Sequence, residues 1–350
     1  MVIADQLSFT KLESVSTRKS IHGIYPYRGK ISSLDAANLI SQFPCDSVLL
    51  DPFCGSGTIV YESAKKLKYT IGVDNNPVAI QIANGKINQF SPNDCLVHLR
   101  SIIEKINFHS KMAIPIKAER YFHPDTANEI MLLKEYFDVF NDYEKAVFLG
   151  TICLAARACN NYKWTSTQIG QISEEKRYVN FTERFLEKIT KHGFPLPNNN
   201  AKVMKGDTRN LSNLIPLKSV DIVYTSPPYF DCLDYTSYYT RIVHYVFDND
   251  FATIKAGLIQ NRATYEQDMI SCLQEIEKVT TDDATIIFVV GDKKIGGQVI
   301  NGGEFFTRIS KHKPIQVLQR EYTNTASKIW DNINKTQRRE QIVIWDKSKW

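Results

Sequence analysis

Residues 48–58 read VLLDPFCGSGT. An apolar run stops at Asp51-Pro52, glycines follow at 55 and 57, and a helical pattern runs on to about Leu67. Proline cannot donate to a sheet ladder, so the strand must end there. Glycines in such a strand-to-helix turn let backbone N–H groups come close to a ligand. Next, YTIGVD at 69–74 reads as a second strand and NPVAIQIANGKI at 76–87 as a second helix. Strand, helix, strand and helix with short connections specify a parallel sheet with covered faces. Asp74 ends the second strand 19 residues after Gly55. An acidic group there can take both hydroxyls of a ribose, although acidic strand ends are also ordinary loop caps. A dinucleotide fingerprint asks for glycine or alanine three residues beyond Gly57, where this chain has Val60. The pattern suits an adenosyl ligand better than a dinucleotide.

Working outward, the alternation breaks at 86–200 and then resumes. The interruption carries helical patterns at 126–140, 143–160 and 181–191, and reads as a helical insertion between strands two and three. Strands are expected at 201–207 (AKVMKGD), 219–224 (SVDIVY) and 284–292 (ATIIFVVGD), with helices at 264–279 and 303–312. Two more strands, near 315–323 and 340–346, are placed to pair antiparallel around a basic loop. The expected organisation is one α/β catalytic domain built from 1–85 and 201–350, with 86–200 as the insertion. The sheet is mostly parallel and seven-stranded, with an antiparallel last strand.

The 350 residues can bury a large core without staples. Seven scattered cysteines with no CxxC give neither a disulfide framework nor a zinc site. No apolar run reaches the length of a membrane span, and the first twenty residues lack the apolar core of a secretory signal. The expected setting is cytoplasmic. The seven histidines show no metal-binding spacing, so no metal is expected. Net charge is +5, and residues 291–350 carry 12 Lys/Arg against 6 Asp/Glu. That bias suits a polyanion partner as well as a solvated surface.

A second stretch, TSPPYFD at 225–231, directly follows the strand 219–224. DPFCGSGT followed by TSPPY resembles the S-adenosylmethionine-dependent amino-methyltransferases of DNA. Their cofactor motif resembles DPFxGxGT, and their catalytic motif is Asp, Asn or Ser, two prolines and an aromatic. IYPYRGKI at 24–31 is similar to the HPYPAKF segment of that family, and SPPYFDCLDYTSYY resembles the SPPYxxxxDY run of its cytosine-N4 subset. The resemblance covers about 21–85 and 202–346. It implies a Rossmann-like class I methyltransferase fold and S-adenosylmethionine as cofactor. Phe53, Gly55, Gly57 and Thr58 would hold its methionine part, with Asp51 on the ammonium. Asp74 with Asn75 would hold the ribose, Asp207 with Thr208 the adenine, and Tyr25 and Lys30 would lie near the carboxylate.

By the same resemblance, Ser226, Pro227, Pro228 and Tyr229 form the catalytic turn. The amino nitrogen of a base is a poor nucleophile, because its lone pair is delocalised into the ring. Acceptors against its N–H groups free that pair, and Ser226 Oγ with the Pro227 carbonyl would supply two. Tyr229 would stack on the base after it leaves the helix, with Tyr235 in the same aromatic cluster. Serine at 226, where adenine enzymes mostly carry Asp or Asn, points to cytosine N4. Adenine N6 is the alternative, followed by RNA or protein as substrate. A cytosine-C5 enzyme is excluded because Tyr229, not cysteine, follows the prolines.

The implied partner is double-stranded DNA in a bacterial restriction-modification setting. A cognate endonuclease would act beside the enzyme rather than as a stable subunit, and both monomer and dimer stay open. DNA contacts are expected from Arg157, Lys163, Trp164 and Arg177 in the insertion, and from Lys328, Arg338 and Arg339 in the basic loop. Arg with Asn or Gln suits base edges and Lys suits phosphates, so Asn160 and Asn161 join the insertion candidates.

Overall fold

The computed structural model describes residue 7 and residues 20–27, 31–161, 177–228, 240–295, 298–321 and 339–350. Seven strands form one sheet: β1 (Val48–Asp51), β2 (Tyr69–Asp74), β3 (Ala201–Lys205), β4 (Val220–Thr225), β5 (Thr280–Gly291), β8 (Gln316–Glu321) and β9 (Arg339–Asp346). Their order is β3-β2-β1-β4-β5-β9-β8. Strands β1 to β5 run parallel, and β9 pairs antiparallel with both β5 and β8. A separate hairpin joins β6 (Lys293–Ile295) to β7 (Gln298–Ile300). This is the Rossmann-like class I methyltransferase layout expected from the sequence. The chain reverses its direction of winding between β1 and β4, which opens a crevice at their carboxyl ends.

The sheet is buried on both sides because its central strands alternate between two cores. Leu49, Ile222, Ile287 and Ile344 face one cluster with α1 (Ser33–Ile40) and Ile59 of α2 (Thr58–Ala64). Their neighbours Leu50, Val223, Phe288 and Val343 face the other, with α11 (Tyr265–Val279) and α12 (Gly302–Ile309).

Helix α3 (Pro77–Ile87) begins behind an Asn76 cap, whose side chain accepts from Val78 N. The insertion supplies α4 (Pro92–Ile103), α5 (Ile116–Glu119), α6 (Pro124–Lys134), α7 (Asp142–Ala158) and α8 (Phe181–Lys191). Periodicity alone did not single out α4 or α5. Helix α7 opens with a capping box between Asn141 and Glu144 and is buried over most of its surface. These helices share one core with α2, α3 and residues 21–25. The insertion therefore packs as one body with α2 and α3. Two short helices, α9 (Arg241–Val246) and α10 (Phe251–Gly257), complete the chain before α11.

Candidate cofactor and catalytic cleft

The carboxyl ends of β1, β2, β3 and β4 line one cleft that is open to solvent. Its polar wall comes from Asp51, Ser56, Thr58, Asp74, Asn75, Asn76, Asp207, Thr208 and Ser226. Phe53, Ile59, Leu258 and Ile259 supply apolar wall. Thus the two sequence motifs, whose first residues Asp51 and Thr225 are 174 residues apart, meet across the β1–β4 pair.

The turn after β1 is held from inside. Gly55 and Gly57 have φ of 49° and 70°, in the left-handed region that favours glycine. They play different parts. Gly55 lines the cleft, whereas a Cβ on Gly57 would stand 2.8 Å from Cβ of Ala83 in α3. Gly57 lets α2 pack on α3 rather than letting a ligand approach. Asp74 Oδ2 accepts the Gly55 N–H at 2.8 Å, and Oδ1 accepts the Asn76 N–H at 2.8 Å. Burial raises the pKa of Asp74, an effect tempered by these backbone donors. The carboxylate expected to meet a ribose is also the clamp of the glycine turn.

Asp51 is 2% exposed. Its Oδ1 accepts the Thr225 hydroxyl at 2.6 Å and the Phe53 N–H at 3.3 Å. Burial pushes its pKa up to about 7 against the pull of these bonds, with the nearby Asp74 adding to the rise. On the β3 side, Thr208 Oγ1 donates to the Pro52 carbonyl at 2.5 Å, tying the third strand end to the first.

Asp207 also lines the cleft, but its carboxylate is engaged. Arg209 grips it through Nε at 2.9 Å and Nη2 at 2.5 Å, and its own N–H adds a bond to Oδ1 at 2.9 Å. Burial alone would raise this carboxyl, yet the Arg209 bonds hold it below the usual range. Little acceptor capacity is left for an adenine amino group, a limit that strand position alone did not reveal. Asn75 donates to the Gly257 carbonyl at 2.9 Å, so the end of α10 closes against the Asp74 side of the cleft.

Several expectations are corrected. Tyr25 is not at the cleft. It is 2% exposed, and the Cys153 thiol of α7 donates to its hydroxyl at 3.1 Å. Residues 24–25 run against Gly150 of α7, so close that a Cβ there would lie 1.8 Å from the Ile24 carbonyl. That contact turns Tyr25 inward, and Tyr27 lines the cleft instead. Arg177 does not face DNA. It is 8% exposed, with Nε on the Cys159 carbonyl and Nη2 on those of Arg120 and Phe122. Asn160 is likewise buried, donating to Tyr121 and Ala156 carbonyls. Arg157, half-buried on α7, places its charge near Tyr25 and Cys153.

In the turn expected to be catalytic, Ser226 and Pro228 line the cleft, while Pro227 is buried. The Pro228 carbonyl accepts the Tyr265 hydroxyl at 2.6 Å. Lys30, Lys163, Trp164, Tyr229, Tyr235, Lys328 and Arg338 lie outside the described residues, as does the side chain of Arg339. Among the described residues, no group of three or more His, Cys, Asp or Glu could hold a metal, and no helix is long and apolar enough to cross a membrane.

The sequence model of the D12 class N6 adenine-specific DNA methyltransferases matches residues 35–282, from α1 into β5. The chain belongs to that family. The matched span of the D12 family takes in the glycine turn, the insertion and the Ser226 turn. Over 106 residues, 30% of this chain, the sequence is 31% identical to the Type II methyltransferase M.MjaII of Methanocaldococcus jannaschii. The match spans 20% of that relative's length. Similar solved structures include the rRNA methyltransferase aviRa from Streptomyces viridochromogenes. It is 14% identical, with 93% of this chain and 90% of that one covered and a TM-score of 0.35. Another is geranyl diphosphate methyltransferase in complex with SAM, 8% identical, with coverage of 95% and 98% and a TM-score of 0.38.

Membership of the D12 family implies S-adenosylmethionine as methyl donor. The cleft fits it. Ser56 and Thr58, each 4% exposed, line the cleft, and their buried hydroxyls have no hydrogen-bond partner among the described residues. Buried hydroxyls left so are costly unless a ligand satisfies them. Asp51 offers a buried carboxyl whose ionised form an ammonium would stabilise, and Phe53, Ile59 and Ile259 offer apolar surface to an adenosyl group.

Proposed function

We propose that the chain transfers a methyl group from S-adenosylmethionine to the exocyclic amino nitrogen of a base in double-stranded DNA, and that the base is cytosine, at N4. The observation that carries the reading is the junction at the β1–β4 crevice. The Ser226 turn opens into the same cleft as Asp51, Ser56, Thr58 and Asp74.

Asp51, Ser56 and Thr58 would hold the methionine end of the cofactor, and Asp74 with Asn75 the ribose. When bound, the cofactor supplies a methyl group already activated by its sulfonium. The protein then has to position and to place charge. Ser226 Oγ accepts an amino N–H of the base, which draws the nitrogen lone pair out of the ring. The second acceptor assigned to the Pro227 carbonyl, and the stacking assigned to Tyr229, belong to this proposal. The Tyr265–Pro228 bond steadies the far side of the turn. Ser226 supports cytosine, since it stands where adenine enzymes mostly carry Asp or Asn.

The family description favours a second reading, N6 of adenine. Duplex DNA incubated with labelled cofactor should gain label in N4-methylcytosine. Label in N6-methyladenine would replace the base assignment and keep the class, whereas no label in DNA would remove both. Ser226→Ala should abolish transfer while cofactor affinity holds, and Asp74→Ala should weaken that affinity. Target recognition by the insertion 86–200 and the basic tail 291–350, and a companion endonuclease, are part of the same proposal. Sequencing the modified bases in DNA from expressing cells would report the base and the site.

A further inference from the structure

The segment Ser226–Pro228 has a single backbone N–H, because Pro227 and Pro228 have none. The ladder with β5 ends at Thr225, opposite Phe288. Groups beside the turn that carries Ser226 therefore help to fix it. On the strand side stands Thr225, wholly buried, with its hydroxyl on Asp51 Oδ1 at 2.6 Å. That same Oδ1 takes the Phe53 N–H, while Oδ2 takes no bond among the described residues. One carboxylate thus ties two elements together through Oδ1 and keeps Oδ2 for the cleft it lines.

We propose that Thr225 is a positioning residue that couples the cofactor cleft to the Ser226 turn through Asp51. The proposal rests on the amino-methyltransferase reading. A cation held at Oδ2 keeps the carboxylate ionised, and an ionised Oδ1 is the stronger acceptor for the Thr225 hydroxyl. Filling the cleft then tightens the strand end from which Ser226 projects. The coupling is reciprocal, as any linkage must be. The Thr225 bond favours the ionised carboxylate and so favours a bound cation. The groups that face Asp51 work the other way or are neutral. Asp74 on β2 disfavours its charge, and Cys54 in the turn and Tyr224 on β4 are buried with raised pKa values.

The test is calorimetric binding of S-adenosylmethionine to the full chain between pH 5.5 and 8.5, with methyl incorporation into DNA measured alongside. Thr225→Val removes the hydroxyl at nearly constant size. It should weaken binding roughly tenfold at neutral pH, the loss of one hydrogen bond to a charged group. It should also shift the acid limb of binding to higher pH and lower turnover at saturating cofactor. Thr225→Ser keeps the hydroxyl and should restore all three. Circular dichroism reports folding, and Thr225→Ala carries the same expectation should the valine variant not fold. A hydroxyl-free variant that is folded and has the wild-type pH profile would overturn the coupling, as would a folded serine variant that restores nothing. Wild-type protein that binds with this pH dependence but methylates no DNA would instead refute the proposed function.

Discussion

Asp51→Asn should make the unliganded protein more stable and the cofactor-binding protein worse. Burial raises the carboxyl from 3.8 to about 7 on folding. Between those values the folded chain binds more protons than the unfolded one, so stability falls as pH rises from about 4 to about 7 and then levels. An asparagine has no charge to desolvate, and its side-chain oxygen can still accept from Thr225 and Phe53. The stability gap between variant and wild type should therefore widen with pH, at about 1.36 kcal/mol per unit. Between pH 5 and pH 7 that is about 2.7 kcal/mol, and above pH 7 the gap should stay flat. The raised pKa of Asp74 acts with the same sign in both proteins and largely cancels in the difference. Urea unfolding without cofactor at pH 5, 6, 7 and 8 measures the gap. A gap that does not change with pH, or a variant less stable at pH 8, would refute the reasoning. Calorimetry on the same samples should show weaker cofactor binding by the variant.

Two further outcomes are expected. Arg177→Met removes the donor from three backbone carbonyls and should cost about 3 kcal/mol or more in urea unfolding. DNA affinity of the folded protein, measured well below its melting temperature, should stay the same; a selective loss of DNA binding would restore Arg177 to the interface. Tyr265→Phe unpairs the Pro228 carbonyl from its hydroxyl. Turnover should fall several-fold with the cofactor KM unchanged and a stability cost of about 1 kcal/mol. An equal fall in cofactor affinity would mean that the bond serves the cofactor site instead.

Residues with strong local signals were legible in the sequence. Asp51-Pro52, the left-handed glycines, Asp74 and Ser226-Pro227-Pro228 each combine a strand end with a backbone that has few conformations open to it. The β-branched runs ending at those positions fix the face to which each side chain points. Side chains in the insertion were not legible in this way. Arg177 and Asn160 look like base readers by type, but carbonyls at the end of α7 and of residues 120–122 take their donors. Tyr25 and Tyr27 are equivalent in pattern, and only the approach of α7 at Gly150 decides which faces the cleft. Tyr265 gave no signal, because its partner is a carbonyl 37 residues away in the chain.

By itself, then, the sequence determined a parallel sheet with a glycine turn after its first strand, acidic ends on the next strands and a proline-stiffened turn after the fourth. Those are consequences of backbone restriction and periodicity, which act within a few residues. Only the tertiary structure decided that β4 lies beside β1, so that Thr225 reaches Asp51, and that Arg209 claims Asp207. Such contacts depend on which groups meet after burial, and in a low-dielectric interior each polar group takes the partner that packing brings within hydrogen-bond distance.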